Sequence, residues 1–312
     1  MTWLLVKQIM AMVLMALAGF LAGKAGVLTD EEGRGLSKAC VYVVVPCSLV
    51  DAFRTEFEME KLTGLMVCMV AAALIHMLYL VIDGTVMKRG KRPMTPGERA
   101  SVIYSNSGNL IIPLVQGALG SDYVIYICSY LIVQNLLTWT HGQRLMGGTK
   151  PLTVKNVMTN PAILSICLGT ALFFLRVRLP GALGTAVSSL AACIGPLSML
   201  LVGILLSQMD LKEVLRSRAV WRTVGIRLLL CPALSMVLLL GFHLVWRGGN
   251  SAAVLTVMLL CASGPSASIV VQLAQLYDSK DKWVVSSVNA LSTLMCALTL
   301  PTLCILFQWL VG

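Results

Sequence analysis

Two short stretches hold most of the polar chemistry in this chain. Asn106-Ser-Gly-Asn-Leu-Ile-Ile-Pro113 and Ala262-Ser-Gly-Pro-Ser-Ala267 each lie inside a long apolar run. Amides and hydroxyls donate and accept hydrogen bonds, while glycine and proline interrupt a helix. A broken helix exposes backbone N–H groups and the positive end of its dipole. Those groups suit a carboxylate, held near the membrane midplane with no full positive charge from the protein. A fixed Arg or Lys would hold such an anion too tightly for ready release. The substrate-binding candidates are Asn106, Ser107 and Asn109 at the first stretch and Ser263, Gly264 and Ser266 at the second. Gly108, Pro113 and Pro265 are read as helix breakers.

Other polar residues inside apolar runs are weaker candidates. Asn135, Gln143, Asn289 and Asp51 are candidate cavity-lining residues, with Asp51 read first as interfacial. His76, His141 and His243 share no metal-ligand spacing and are read as structural or interfacial. Arg227 is read as snorkelling to the cytoplasmic surface. No catalytic constellation, metal site or cofactor is expected. There is no H-E-x-x-H, G-x-S-x-G or G-x-x-x-x-G-K-[ST] motif, which argues against an intramembrane enzyme and an ATP-driven pump. No carboxylate falls near the middle of a span, where cation antiporters usually need one.

The elements that position these residues are membrane helices. The chain has 312 residues, 57% hydrophobic and 12% charged, with mean hydropathy +0.85. That is about half the charged fraction of a soluble protein. The net charge of +10 reflects loop cations, not nucleic-acid binding. The ten cysteines lie in or beside apolar runs without a C-x-x-C pair and read as small buried residues.

Ten segments are candidates to span a bilayer: about 4–23, 36–53, 62–87, 98–120, 122–145, 157–176, 181–207, 219–243, 251–276 and 283–310. The first is read as a span and not a cleaved signal, because a second follows after a short charged loop.

Lys and Arg number 18 beside the odd-to-even loops and 6 on the opposite side. The positive-inside rule then puts both termini on the non-cytoplasmic side of the cell membrane. Pro46 and Pro196 are 150 residues apart, and Ser107 and Ser263 are 156 apart. Matched features at nearly one offset predict an all-α polytopic fold of two five-helix repeats, 1–145 and 157–312. An odd number of spans per repeat inverts the second, with helices 4 and 9 broken at corresponding positions.

The order of motifs along the chain resembles the auxin efflux carrier family, which includes plant PIN-type carriers and bacterial carriers of small organic acids. The resemblance rests on Gly23-Lys-Ala-Gly-Val-Leu-Thr-Asp-Glu-Glu32, Leu36-Ser-Lys38 and Pro46 near the start, and on Asn106 with Pro113-Leu114. It continues through Asn160-Pro161, Gly264-Pro265 with Ala274 and Tyr277, Ser292-Thr-Leu294 and Leu298-Thr-Leu-Pro301. The chain departs from the family at Ile111, where glycine is usual, and at Ser105, where PIN carriers have proline. It also has no long central loop, which favours the bacterial type.

The resemblance implies a secondary transporter of small organic anions, such as malate- or malonate-like dicarboxylates or auxin-like weak acids, working by an elevator motion. It implies a scaffold of helices 1, 2, 6 and 7, often dimeric, and a moving domain of helices 3–5 and 8–10 in which the broken helices 4 and 9 cross at their breaks. It assigns substrate contact to Asn106. The implied partners are the anion and the lipid bilayer. The alternative is a sodium-coupled symporter of the bile-acid-transporter type, whose crossed helices also use amides and carbonyls.

Overall fold

The computed structural model describes residues 2–55, 58–89, 92–147, 161–177, 179–247, 250–277 and 279–311. Asn160 of the family-like Asn-Pro pair lies outside them. Among the described residues the chain is helical and carries no strand, only one isolated β-bridge.

The helices are α1 (Thr2–Lys24), α2 (Asp30–Ala39), α3 (Val45–Ala52), α4 (Met59–Ile82), α5 (Pro96–Ile103) and α6 (Ile112–Ala118). They continue as α7 (Val124–Leu137), α8 (Gln143–Leu145), α9 (Pro161–Leu175), α10 (Gly181–Ala192), α11 (Ile194–Ser207) and α12 (Leu211–Arg216). The remainder are α13 (Arg218–Gly225), α14 (Cys231–Val245), α15 (Ser251–Ser263), α16 (Ser268–Leu276) and α17 (Lys282–Val311). Among the described residues five π-helical turns interrupt or join them, at Cys40–Val44, Asp83–Met87, Ser107–Ile111, Thr138–Gly142 and Ile226–Leu230.

Among the described residues seven helical stretches are long and apolar enough to cross a bilayer: Lys7–Lys24, Glu31–Ala52, Met59–Met87, Ser121–Leu145, Gly181–Ser207, Arg218–Val245 and Lys282–Val311. Pro161–Leu175 and Ser251–Ser263 are apolar but shorter. The segment 96–118 falls below the length of a span because it is divided into α5 and α6. Hydrocarbon leaves no water for freed backbone groups, so such a division needs partners within the protein.

The chain forms two compact units. The first comprises Met1–Val67, Gly108–Ile132 and Thr153–Gln208. Its centre is the packing of α1 on α11, where a Cβ on Gly203 would overlap the Ala16 carbonyl and one on Gly19 the Leu200 carbonyl. Backbone contact this close favours association of two membrane helices through van der Waals packing. The helices α9 and α10 pack on α3, with the Phe53 and Phe173 rings edge to face at 6.3 Å.

The second unit comprises Cys68–Ser107, Val133–Leu152 and Met209–Gly312. Helix α17 packs against α5, α13, α14, α15 and α16. It brings a buried polar row, Ser287, Asn289, Ser292 and Thr293, into that unit's core. Such residues in an apolar interior must find hydrogen-bond partners or remain available to a ligand.

Candidate binding site at the helix breaks

Helix α5 begins with a capping box: the Thr95 hydroxyl accepts from Glu98 N–H, and the Glu98 carboxylate accepts from Thr95 N–H. It ends when Tyr104 turns extended at φ −99°, ψ 124°. Helix α15 ends at Gly264, with φ −56° and ψ 159°, the extended conformation that a following proline favours. The two extended pieces then pair antiparallel. Asn106 N–H donates to the Pro265 carbonyl at 2.8 Å, and Ala267 N–H donates to the Tyr104 carbonyl at 2.9 Å, around a bridge between Ser105 and Ser266. A one-residue β-bridge thus satisfies backbone that neither helix can.

The bridge is clamped from both sides by amide side chains. Gln134 accepts from Ser105 N–H at 3.0 Å and donates to the Ser105 carbonyl at 2.8 Å. Asn289 donates to the Ser266 carbonyl at 2.6 Å, while the Ser292 hydroxyl accepts from Ser266 N–H at 3.1 Å. Asn289 therefore belongs to the break itself. Gln134 was not singled out from the sequence, although its neighbour Asn135 was. Asn135 is half-buried, and Gln143 is buried on α8 in the same unit.

Carbonyl oxygens around the second break have donors. The Cys261 carbonyl accepts from the Ser107 hydroxyl at 3.1 Å. The Ala262 carbonyl accepts from Arg227 Nη2 at 2.8 Å and the Tyr79 hydroxyl at 3.2 Å. The Gly264 carbonyl accepts from Arg227 Nε at 2.8 Å. By contrast, the hydroxyls of Ser263 and Ser266 are buried with no hydrogen-bond partner. Asn106 is 6% exposed, and its Nδ2 donates to the Ser268 hydroxyl at 3.3 Å. Ser107 is committed to structure, through Cys261 and a 2.6 Å bond to the Ser105 hydroxyl.

Arg227 corrects two expectations. It does not snorkel: it is fully buried, in the π-turn Ile226–Leu230. It also brings a full positive charge to the break, where the sequence reading expected only dipoles and amides. Besides Gly264 and Ala262 it reaches the Val102 carbonyl at 2.9 Å, and its guanidinium lies 5.8 Å from the Tyr79 ring centre. Burial arises because α13 and α14 run against α17, and the π-turn between them adjoins α5.

The remaining candidates lie in the first unit. Pro113 takes one of the first two positions of α6, with its carbonyl 3.4 Å from Gln8 Nε2. Gly108 and Asn109 are half-buried, and Ile111 is fully buried. A Cβ on Gly108 would meet Leu131 only at ordinary contact, 4.0 Å, so packing there does not demand glycine. Asp51 accepts from Arg54 at 2.8 Å and from the Ser188 hydroxyl at 2.7 Å. Arg54 also donates to the Gly184 carbonyl at 2.9 Å, which ties α3 to α10. Asp51 is thus part of a helix-joining ion pair.

A second charged cluster in the second unit was also missed. The Asp83 carboxylate, buried at the start of a π-turn, accepts two bonds from Arg99, at 2.6 and 2.5 Å. His141 Nε2 stands 3.8 Å from it, and His141 Nδ1 pairs with the Tyr104 hydroxyl at 3.0 Å. His76 is structural, bonded through Nδ1 to the Ala72 carbonyl at 2.8 Å.

The family model described as membrane transport protein matches the chain over residues 4–155 and 149–304. No individual curated protein matches it.

Proposed function

Because the chain belongs to the membrane transport protein family, that of the auxin efflux carriers, we propose that it is a secondary carrier of small organic anions. The proposed binding site is the paired break at Tyr104–Asn106 and Pro265–Ala267. One observation carries this reading: around the break, backbone carbonyls are occupied by donors, while two buried hydroxyls are not. Such a surface offers donors and positive potential, which suits a carboxylate. Ser263, Ser266 and the Asn106 amide are the proposed contacts. Ser107, Asn289, Pro113 and Pro265 act by shaping the break, and Gly264 by lending its carbonyl to Arg227.

The repeat architecture has independent support. Each break is clamped by an amide on the second α-helix after it, Gln134 on α7 for the first and Asn289 on α17 for the second. That recurrence agrees with two inverted five-helix repeats. The loop-charge bias supports termini on the non-cytoplasmic side of the cell membrane, and it survives the removal of Arg227 from the count. In an elevator cycle the unit containing Arg227 and the break would carry the anion. Malate- or malonate-like dicarboxylates and aromatic weak acids are the substrates proposed from the family resemblance.

The test is uptake of labelled mono- and dicarboxylates into vesicles reconstituted with the purified protein. Asn106→Ala should insert normally and lose at least about tenfold in uptake, the scale of one charge-assisted contact. Absence of uptake for every organic anion tried would sink the substrate class.

A further inference from the structure

Arg227 makes three hydrogen bonds, and all go to backbone carbonyls: Val102 in the last turn of α5, Ala262 in the last turn of α15, and Gly264 just beyond it. Among the described residues no carboxylate lies within ion-pair distance of it. These carbonyls close the C-terminal ends of two half-helices. In carriers built on broken helices, the N-terminal ends face an anionic substrate, and the unwound carbonyls and C-terminal ends coordinate a coupling cation. An alkali ion needs several such oxygens at once. Here a cation fixed to α14's leading turn already holds them, and the Tyr79 ring and hydroxyl close around it.

We propose that Arg227 is the built-in counter-cation of the helix break. It takes the place a coupling sodium or potassium ion would fill, so the anion is carried without one. This rests on the anion-carrier reading above and deepens it by removing cation coupling. Carbonyl dipoles give each guanidinium nitrogen a hydrogen bond but contribute no net charge, so the break keeps a fixed charge of one sign. That charge accounts for anion selectivity without a second bound ion.

The experiment compares the full-length wild type, Arg227→Gln and Arg227→Lys in sodium, potassium or N-methylglucamine chloride at equal ionic strength. Thermal unfolding of the purified protein and uptake of labelled malonate and malate into vesicles are both measured. The wild-type midpoint should agree within about 1 °C among the three salts, since no cation binds selectively to the native state. Its uptake should agree within about twofold. Arg227→Gln bares the carbonyls, so sodium should raise its midpoint by a few degrees over N-methylglucamine. Its uptake should fall by at least about tenfold without sodium and recover in part with it. Arg227→Lys keeps the charge and should stay indifferent to the cation.

Sodium stabilisation of the wild type overturns the proposal. So does an Arg227→Gln protein whose midpoint ignores sodium, whether or not it transports. If Arg227→Gln cannot be recovered, the wild-type and Arg227→Lys midpoints decide: indifference upholds the proposal, and stabilisation by sodium overturns it. Failure of the wild type to take up any organic anion defeats the carrier reading alone, because the thermal measurements still decide the cation claim.

Discussion

Two arginines of the second unit are withdrawn from solvent and neutralised in different ways. Arg99 meets Asp83 through two parallel hydrogen bonds at 2.6 and 2.5 Å, charge against charge. Arg227 meets three backbone carbonyls and no carboxylate among the described residues. A bidentate carboxylate satisfies the donors and also cancels the charge. Carbonyls satisfy the donors and leave the charge uncancelled. The first arrangement ties helices together while contributing little field beyond itself. The second sets a positive potential beside the unclaimed hydroxyls of Ser263 and Ser266. Both arrangements use π-turns: Asp83 opens one, and Arg227 lies in another. An extra residue in a helical turn re-aims side chains, and this is where π-turns are often found at functional sites.

The largest effects should separate these two charges. Asp83→Asn strands Arg99, and breaking one partner of a buried pair costs about 3–5 kcal/mol. The 13% exposure of the Arg99 side chain puts the expected loss near the lower end, about 3 kcal/mol. The double variant Asp83→Asn/Arg99→Gln should recover much of that stability in thermal unfolding, and its anion uptake should stay within about threefold of wild type. Among the described residues Arg227 has no paired acid whose removal could compensate its loss. If the double variant lost uptake as Arg227→Gln is expected to, the Asp83 cluster would share the transport role and the distinction between the two arginines would collapse.

The two amide clamps should have intermediate effects. Gln134→Leu leaves both backbone groups of Ser105 without their side-chain partner, and each buried unsatisfied group costs about 1–3 kcal/mol. Asn289→Leu strands only the Ser266 carbonyl, so its cost should be roughly half as large. Equal thermal shifts, or a larger one for Asn289→Leu, would show that the two breaks are not held in the same way.

The helix breaks were readable in the sequence because their causes are local. Gly264-Pro265 forces extended backbone by itself, and Asn106 with Pro113 marks the other interruption. That the broken pieces meet was implied by the family resemblance and not by any local feature. Arg227 was unreadable for a physical reason. An arginine near the end of an apolar run looks like a loop charge, and only the packing of α13, α14 and α17 around it makes it interior. The choice between Gln134 and Asn135 was equally hidden. Adjacent helical residues point about 100° apart, and α7 is apolar on every side, so no stripe reveals which face meets the break. Asp51 looked interfacial because its partner Ser188 is 137 residues away. Division of segment 96–118 also explains why fewer helices qualify as spans by length than the hydropathy pattern suggests.

The smallest stability effects should come from the serines, and they bear most directly on the site. Ser107 and Ser266 are both buried beside the break, but the Ser107 hydroxyl has two partners and the Ser266 hydroxyl has none. Removing a satisfied hydroxyl loses its bonds, so Ser107→Ala should cost about 1 kcal/mol. Removing an unsatisfied one relieves a desolvation penalty, so Ser266→Ala should leave stability unchanged or raise it by up to about 1 kcal/mol. Uptake should rank in the opposite order. Ser266→Ala takes a donor from the bound anion and should lower uptake about tenfold, because a hydrogen bond to a charged group contributes roughly 1.5–3 kcal/mol. A Ser266→Ala protein that is more stable than wild type and transports equally well would remove that hydroxyl from the substrate site. The positive potential at the break would then rest on Arg227 and the Asn106 amide.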